Sequence, residues 1–306
     1  MLGLAKRIKR ESFEKRVTIM KESILQSIVN CMAVSHTHRE IQLIQTNHRL
    51  KLAGAWGIKK GDRLLEVGCG QGDTTAVLAH LVGGEGLVHG VDIASPDYGS
   101  PITVGDSMAH LKNSPLGKQI RVSFEMDILS EEVYFDENEF DAVVLSHCLW
   151  YFQSPDQLLR VLQKVRTWGK KLYVAEWDIR TTCTEQLAHF LAVHIQAQYE
   201  AFKENSFSNV RTLFTRADVE ETMKKAGWTV HGAESISSPD LQDGEWEVHY
   251  VLSEYDSELN ALSHLPAKFM ELLRSQVYVL REVVNMHGVK PLNTFTVVGE
   301  KQAEWK

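Results

Sequence analysis

The stretch LLEVGCGQGD, residues 64–73, constrains the fold more than any other part of the chain: an apolar, strand-like run ends in glycines at 68, 70 and 72. Glycine adopts backbone angles closed to other residues and lets a ligand approach the main chain without a Cβ in the way. A strand that delivers its end into such a turn, and then into a helix, opens a doubly wound sheet whose ligands sit outside the carboxyl ends of the strands. Taken alone, the turn suits a dinucleotide, a phosphate or another nucleoside.

The surrounding pattern agrees with an α/β class. Short apolar runs at 63–67, 87–92, 120–126, 141–146 and 171–176 alternate with amphipathic helical segments, as in a parallel sheet covered on both faces. In SPDQLL, Ser154 is a cap, Pro155 suits the first helical position and Gln157 completes a capping box. In FTRADVEETMKKAGWTV, Thr215 and Asp218 open a helix, Gly227 closes it, and 228–234 reads as a strand. With TFTVVGE at 294–300, seven strands are expected.

Two helical regions fall outside this alternation. Residues 12–54 carry an apolar stripe of Phe13, Val17, Met20, Ile24 and Ile28. Residues 243–287 carry Phe269, Leu272, Leu273, Leu280 and Val284, with Pro266 between two helices and Gly288 as the stop. The expected organisation is an N-terminal helical arm over 1–54, a core of 55–238 with 290–306, and an inserted helical cover over 239–289. Both stripes can pack on the core or form a homodimer contact, and both can roof the cleft.

A formal charge of −7 gives no basic footprint for neutralising phosphates, so no nucleic-acid partner is expected and a small-molecule substrate comes forward. The four cysteines, Cys31, Cys69, Cys148 and Cys183, form no CxxC pair, which argues for a reducing, cytoplasmic setting and no disulfide framework. The basic opening lacks the apolar stretch of a secretory signal and carries Glu11 and Glu14, so no presequence is expected; neither is a membrane span. His36 and His38 do not share a helix face and lack a third ligand, so no metal is expected.

The third glycine of the dinucleotide fingerprint, counted from Gly68, falls at residue 73, which is Asp73. A carboxylate in the first turn of the helix competes with a pyrophosphate for the same amides. No Lys-Ser or Lys-Thr follows, which removes the P-loop. A phosphate-free nucleoside fits better: Asp92, 20 residues after Gly72, suits the ribose hydroxyls, and Asp127 in EMDIL suits an adenine amine with Ile128 beside the ring.

These residues, with FDAVVLSHCLWYF and the long insertion before the last strand, resemble the class I S-adenosylmethionine-dependent methyltransferases over about residues 55–235 plus the final strand. The resemblance implies a Rossmann-like, mostly parallel seven-stranded sheet of order 3-2-1-4-5-7-6 with the last strand antiparallel. It implies S-adenosylmethionine as cofactor, with Gly68, Gly70 and Gly72 under its methionine part, Glu66 near its amino group, Asp92 and Ile93 at the ribose and Asp127 and Ile128 at the adenine. Ser146 and His147 would line the pocket near the sulfonium. The loop IASPDYGSPITVGDSMAHL departs from the short second-strand loop usual in the family.

Methyl transfer needs the acceptor held in line and water excluded. His147 is the candidate general base, although a histidine that only bonds the backbone or touches the cofactor is equally compatible. Trp150, Tyr151, Trp177 and Arg180 follow strand ends and are candidates for shaping the acceptor site, with Gln45, His48 and Tyr199 in the roof. An oxygen acceptor, hydroxyl or carboxylate, from the small-molecule, secondary-metabolite branch is the first choice; nitrogen and carbon stay open. So do a protein that binds the cofactor and catalyses a rearrangement without methylation, and a nicotinamide-dependent oxidoreductase.

Overall fold

The computed structural model describes residues 20–301 apart from 207 and 263. The basic opening, Phe13, Val17 and residues 302–306 lie outside the described residues, as does the His36 side chain.

Seven strands form one sheet: β1 (Arg63–Val67), β2 (Leu87–Val91), β3 (Ile120–Ser123), β4 (Phe140–Ser146), β5 (Gly169–Asp178), β6 (Trp228–Ile236) and β7 (Asn293–Lys301). Their order is β3-β2-β1-β4-β5-β7-β6, as the resemblance implies. The first five run parallel and β7 is antiparallel to both its neighbours. Alternation along the strands feeds two cores. Leu65, Val67, Val143, Leu145, Leu172 and Val174 pack on one face, while Leu64, Val88, Ala142, Val144, Tyr173 and Ala175 pack on the other. Each fully buried Leu or Val contributes roughly 1.5–3 kcal/mol, so the register of the central strands is strongly specified.

Third-strand residues 124–126, expected as strand, are not. Glu125 takes φ +55°, and its N–H and that of Met126 turn to Ala94 O (3.0 Å) and Asp92 O (2.9 Å). Asp127 therefore lies in a turn beyond the strand.

The helices are α1 (residues 20–29), α2 (Arg39–Trp56), α3 (Asp73–Val82), α4 (Val104–Lys112), α5 (Pro155–Trp168), α6 (Leu187–Glu200), α7 (Arg216–Lys225), α8 (Asp243–Asn260) and α9 (Ala267–His287). On α5, Leu158, Val161, Leu162, Val165 and Trp168 turn inward. Ser154 accepts from Gln157 N–H (3.1 Å), but the Gln157 side chain reaches back to Gln153 N–H (2.7 Å), so the expected capping box is displaced by one residue. Thr215 and Asp218 make the full box.

The stretch expected as helix over 12–54 is broken at residues 30–38 into α1 and α2. Ile28 is buried and Ile24 partly so, but Met20 is exposed. On α9, Leu273 and Leu280 are buried, Phe269 and Val284 partly so, and Leu272 points outward. Helix α6 joins α8 and α9 in one apolar cluster built on Ala192, Ile195, Val251, Leu273 and Val277. Among the described residues no helix is long and apolar enough to cross a membrane.

Candidate active site

All three glycines of the β1–α3 turn take positive φ: +77° at Gly68, +49° at Gly70 and +93° at Gly72. A Cβ at Gly68 would stand 2.9 Å from Cys148 Cβ, and one at Gly72 would stand 3.0 Å from Leu111 and Met108 side-chain atoms. At Gly70 it would meet nothing within 4 Å. Two glycines thus permit packing, and the middle one opens its backbone to the cleft. Gly68 N–H donates to Val91 O (2.8 Å) and Gly70 N–H to Asp92 Oδ2 (2.7 Å), which ties the turn to the end of β2.

Asp92 Oδ1 accepts from Ala94 N–H (2.9 Å), so each oxygen carries one internal donor and keeps lone-pair capacity for another. Glu66 is buried on β1 with Oε2 accepting from Thr75 Oγ (2.5 Å). Burial pushes its carboxyl up to about 8, with Asp73 and Asp92 adding to the shift and Thr75 and Arg49 opposing it. Such a group is poised to ionise when a cation is brought against it. Asp73 opens α3, and its Oδ1 accepts from Gln42 Nε2 of α2 (2.6 Å), so the helix N-terminus already faces a carboxylate. An open glycine backbone, a buried carboxyl that no cation pairs among the described residues and a part-exposed Asp92 suit a phosphate-free nucleoside bearing an amino group. The long loop after β2 folds against this turn: Gln71 Nε2 donates to Ile102 O (3.0 Å), and Ser107 Oγ donates to Gln71 O (2.7 Å).

Asp127 is exposed, with Oδ1 accepting from Leu129 N–H (2.8 Å), a turn bond that leaves Oδ2 free to accept. Ile128 is buried in the core, whereas Ile93 is 67% exposed. Ser146 ends β4 with a buried Oγ that has no hydrogen-bond partner.

His147 follows at φ +52°, a left-handed conformation that costs a non-glycine residue about 1–2 kcal/mol, with its N–H donating to Ala175 O (2.9 Å). That turn aims its ring into a cluster of rings. His147 Nε2 is 3.0 Å from His48 Nε2, and Nδ1 stands 3.5 Å from Glu176 Oε1, buried and beyond good hydrogen-bond geometry. Trp177 lies 4.6 Å from the His147 ring and stacks on His48 at 6.1 Å. Glu176 is buried on β5 and accepts from Leu149 and Trp177 N–H (both 2.9 Å). His48 Nδ1 is 3.0 Å from Ser238 Oγ. Burial, then Arg49, His147 and Lys51, hold His48 well below the ordinary imidazole range, so it is neutral. The two Nε2 atoms share one hydrogen bond, so one ring donates and the other accepts; the His147 tautomer with its proton on Nδ1 turns that proton toward Glu176 and leaves Nε2 to accept.

The roof meets here. Gln45 of α2 donates to Asp243 of α8 (2.8 Å), and His189 of α6 touches Trp177 edge-on at 5.3 Å. Of the sequence candidates, His48, Gln45, His147 and Trp177 come together. Tyr151 exposes 40% of its surface, while burial of its hydroxyl, then Tyr98, Glu176 and Glu247, push that hydroxyl up. Trp150 is instead core, its Nε1 donating to Phe214 O (3.3 Å). Tyr199 is buried in the helical cluster. Arg180 is turned to solvent and spent on Asp178, with Nη2 2.5 Å from Oδ2. Sequence reasoning missed Glu176 and His189. Glu176 had a signal: a carboxylate inside an apolar strand, KLYVAEWD, that is buried on both faces. Among the described residues no three His, Cys, Asp or Glu side chains are grouped to hold a metal ion; His38 bonds Ser35 (2.7 Å).

Comparison with known proteins gives matches to family models, to curated relatives and to solved structures. A family model described as "Methyltransferase domain" matches residues 58–246, and one described as protein-L-isoaspartate(D-aspartate) O-methyltransferase matches residues 4–97. The methyltransferase phomM′ of Diaporthe leptostromiformis is 29% identical over 290 residues, covering 80% of this chain and 71% of its own. The ubiquinone/menaquinone biosynthesis C-methyltransferase UbiE of Vibrio cholerae is 31% identical over 122 residues, 40% of this chain and 44% of its own. The crystal structure of a cyclopropane-fatty-acyl-phospholipid synthase-like protein from Lactobacillus casei superposes with a TM-score of 0.82 at 34% identity, covering 91% of this chain and 99% of its own.

Proposed function

The chain belongs to the class I S-adenosylmethionine-dependent methyltransferases, and from that premise we propose that it methylates a hydroxyl oxygen of a small molecule with His147 as general base. When bound, S-adenosylmethionine supplies an electrophilic methyl group on a sulfonium. We assign its binding to Glu66 at the amino group, the open backbone of Gly70 between Gly68 and Gly72, Asp92 and Ile93 at the ribose, Asp127 and Ile128 at the adenine, and Ser146 and His147 near the sulfur. Of the arm expected over 1–54, the described residues 20–54 act with residues 239–289 as cover for the core, and α6 joins the cover.

The observation that carries the hydroxyl is the Glu176–His147–His48 row. The Glu176 carboxylate, 3.5 Å from Nδ1, favours the His147 tautomer with Nδ1–H toward it, and His147 Nε2 takes the acceptor's proton as His48 gives up its contact. Trp177 and His48 wall off water. A carboxylate acceptor would gain from a cationic clamp instead, and Arg180 is committed to Asp178. A ring carbon beside a hydroxyl uses the same base, since removing that proton makes the carbon nucleophilic; the relative named as a C-methyltransferase favours this second choice.

The test is incubation of the full chain with methyl-13C-labelled S-adenosylmethionine and a panel of phenols, alcohols, carboxylic acids and amines, with NMR assignment of the labelled position. Label on a hydroxyl oxygen, and a kcat lowered about 10²-fold or more in His147→Ala, is expected. Label on carbon or nitrogen, no transfer at all, or an unimpaired variant overturns the proposal.

A further inference from the structure

Glu66 on β1, Asp73 at the start of α3 and Asp92 at the end of β2 place three carboxylates around the glycine turn. Such a set draws in the ammonium of an amino acid and repels its carboxylate, so a zwitterion bound here needs a cation as well. The sequence has no lysine or arginine from residue 64 to 111, nor from 122 to 159. Those two runs contain the loops that follow β1, β2, β3 and β4, where a doubly wound sheet holds its ligand. The cation must come from outside them.

Helix α2 reaches the turn through Gln42, which donates to Asp73, and it carries Arg39, Arg49 and Lys51. Arg39 Nη2 donates to Gln26 Oε1 (2.7 Å) and Asn30 Oδ1 (2.6 Å), and Lys51 Nζ donates to Ser237 O and Ser238 Oγ (both 3.1 Å). Arg49 differs. It stands seven residues after Gln42, on the same face of α2, and its Nη1 donates to Gln45 Oε1 (2.7 Å). Its Nε is buried without a hydrogen-bond partner, and among the described residues no carboxylate pairs with the guanidinium. Its charge reaches both ends of the cleft: it favours the ionised form of Glu66, and after burial it is the largest influence holding down His48. A part-buried guanidinium without a counter-ion costs stability that a ligand's carboxylate restores, and its planar fork matches both oxygens of that carboxylate.

We propose that Arg49 binds the carboxylate of the cofactor's methionine part, so that the zwitterion is held between Glu66 on the sheet and Arg49 on α2. This rests on the cofactor assignment above, and it makes α2 a wall of the cofactor site as well as its cover. Because α2 also carries His48, the same contact fixes the helix that faces His147. The test is calorimetric titration of the full chain with S-adenosylhomocysteine and with its decarboxylated analogue, which keeps the ammonium and the nucleoside. The wild type is expected to bind S-adenosylhomocysteine about tenfold or more tightly than the analogue. Arg49→Gln, and Arg49→Met with its apolar stem, should each bring the two ligands within about threefold by weakening S-adenosylhomocysteine alone, with circular dichroism checking the fold. Equal binding of the two ligands by the wild type overturns the proposal, whether or not the variants fold. So does a preference undiminished in a folded variant, or a variant that weakens both ligands alike. If the wild type binds neither ligand, the cofactor assignment falls, and this inference with it.

Discussion

Glu66 is a residue under two opposed demands. Its carboxyl is buried beside Thr75, pushed up to about 8, and faces no cation among the described side chains nearer than the electrostatic influence of Arg49. Between the ordinary 4.5 and about 8 the folded chain holds a proton there that the unfolded chain has released, so stability falls as pH rises through that window. The whole shift is worth up to about 5 kcal/mol. Glu66→Gln should flatten this slope and raise the midpoint of chemical denaturation at pH 8 relative to wild type, while weakening S-adenosylhomocysteine. Parallel slopes for the two proteins would show that Glu66 is not the buried acid responsible. Glu66, Asp92 and the glycines were legible because their spacing along a short motif is itself the signal. His48 was named only among the roof candidates and His189 not at all, because their partners lie far away in sequence: His48 meets Ser238 and Thr294, and His189 accepts from Leu292 N–H.

At the scale of elements, the β1–α3 turn separates packing from binding within three glycines. Gly68→Ala puts a Cβ 2.9 Å from Cys148 at φ +77° and should cost about 1–3 kcal/mol in thermal or denaturant unfolding. Gly70→Ala meets no protein atom within 4 Å and should cost only about 1 kcal/mol, yet weaken S-adenosylhomocysteine about tenfold or more by filling the cleft. Equal affinity in Gly70→Ala and wild type would mean that the ligand does not rest on this turn. Strand positions were readable from apolar runs, to within a few residues. The third strand ended early because Glu125 turns left-handed to reach Ala94, a tertiary bond that no local propensity announces. The break at residues 30–38 escaped the periodicity, since the apolar stripe ends at Ile28 and α2 buries polar side chains, Gln45, Thr46 and His48, beside Leu52, Ala53 and Trp56.

Over the whole molecule, the seven-stranded order and the antiparallel last strand follow from the resemblance carried by a few residues. The acceptor side does not, because it is assembled from α2, β4, β5, α6 and α8, whose meeting depends on the helical cluster around Ile195 and Val251. The cofactor side therefore rests on one turn and one carboxylate, and the most direct measurement is calorimetric titration of S-adenosylhomocysteine into the full chain and into Asp92→Ala. Asp92 joins the turn to β2 through Gly70 and Ala94, so circular dichroism of the variant accompanies the titration. The account predicts saturable binding by the wild type and a loss of about tenfold or more in a variant that keeps its folded spectrum. No binding by the wild type, or undiminished binding by the folded variant, would contradict it.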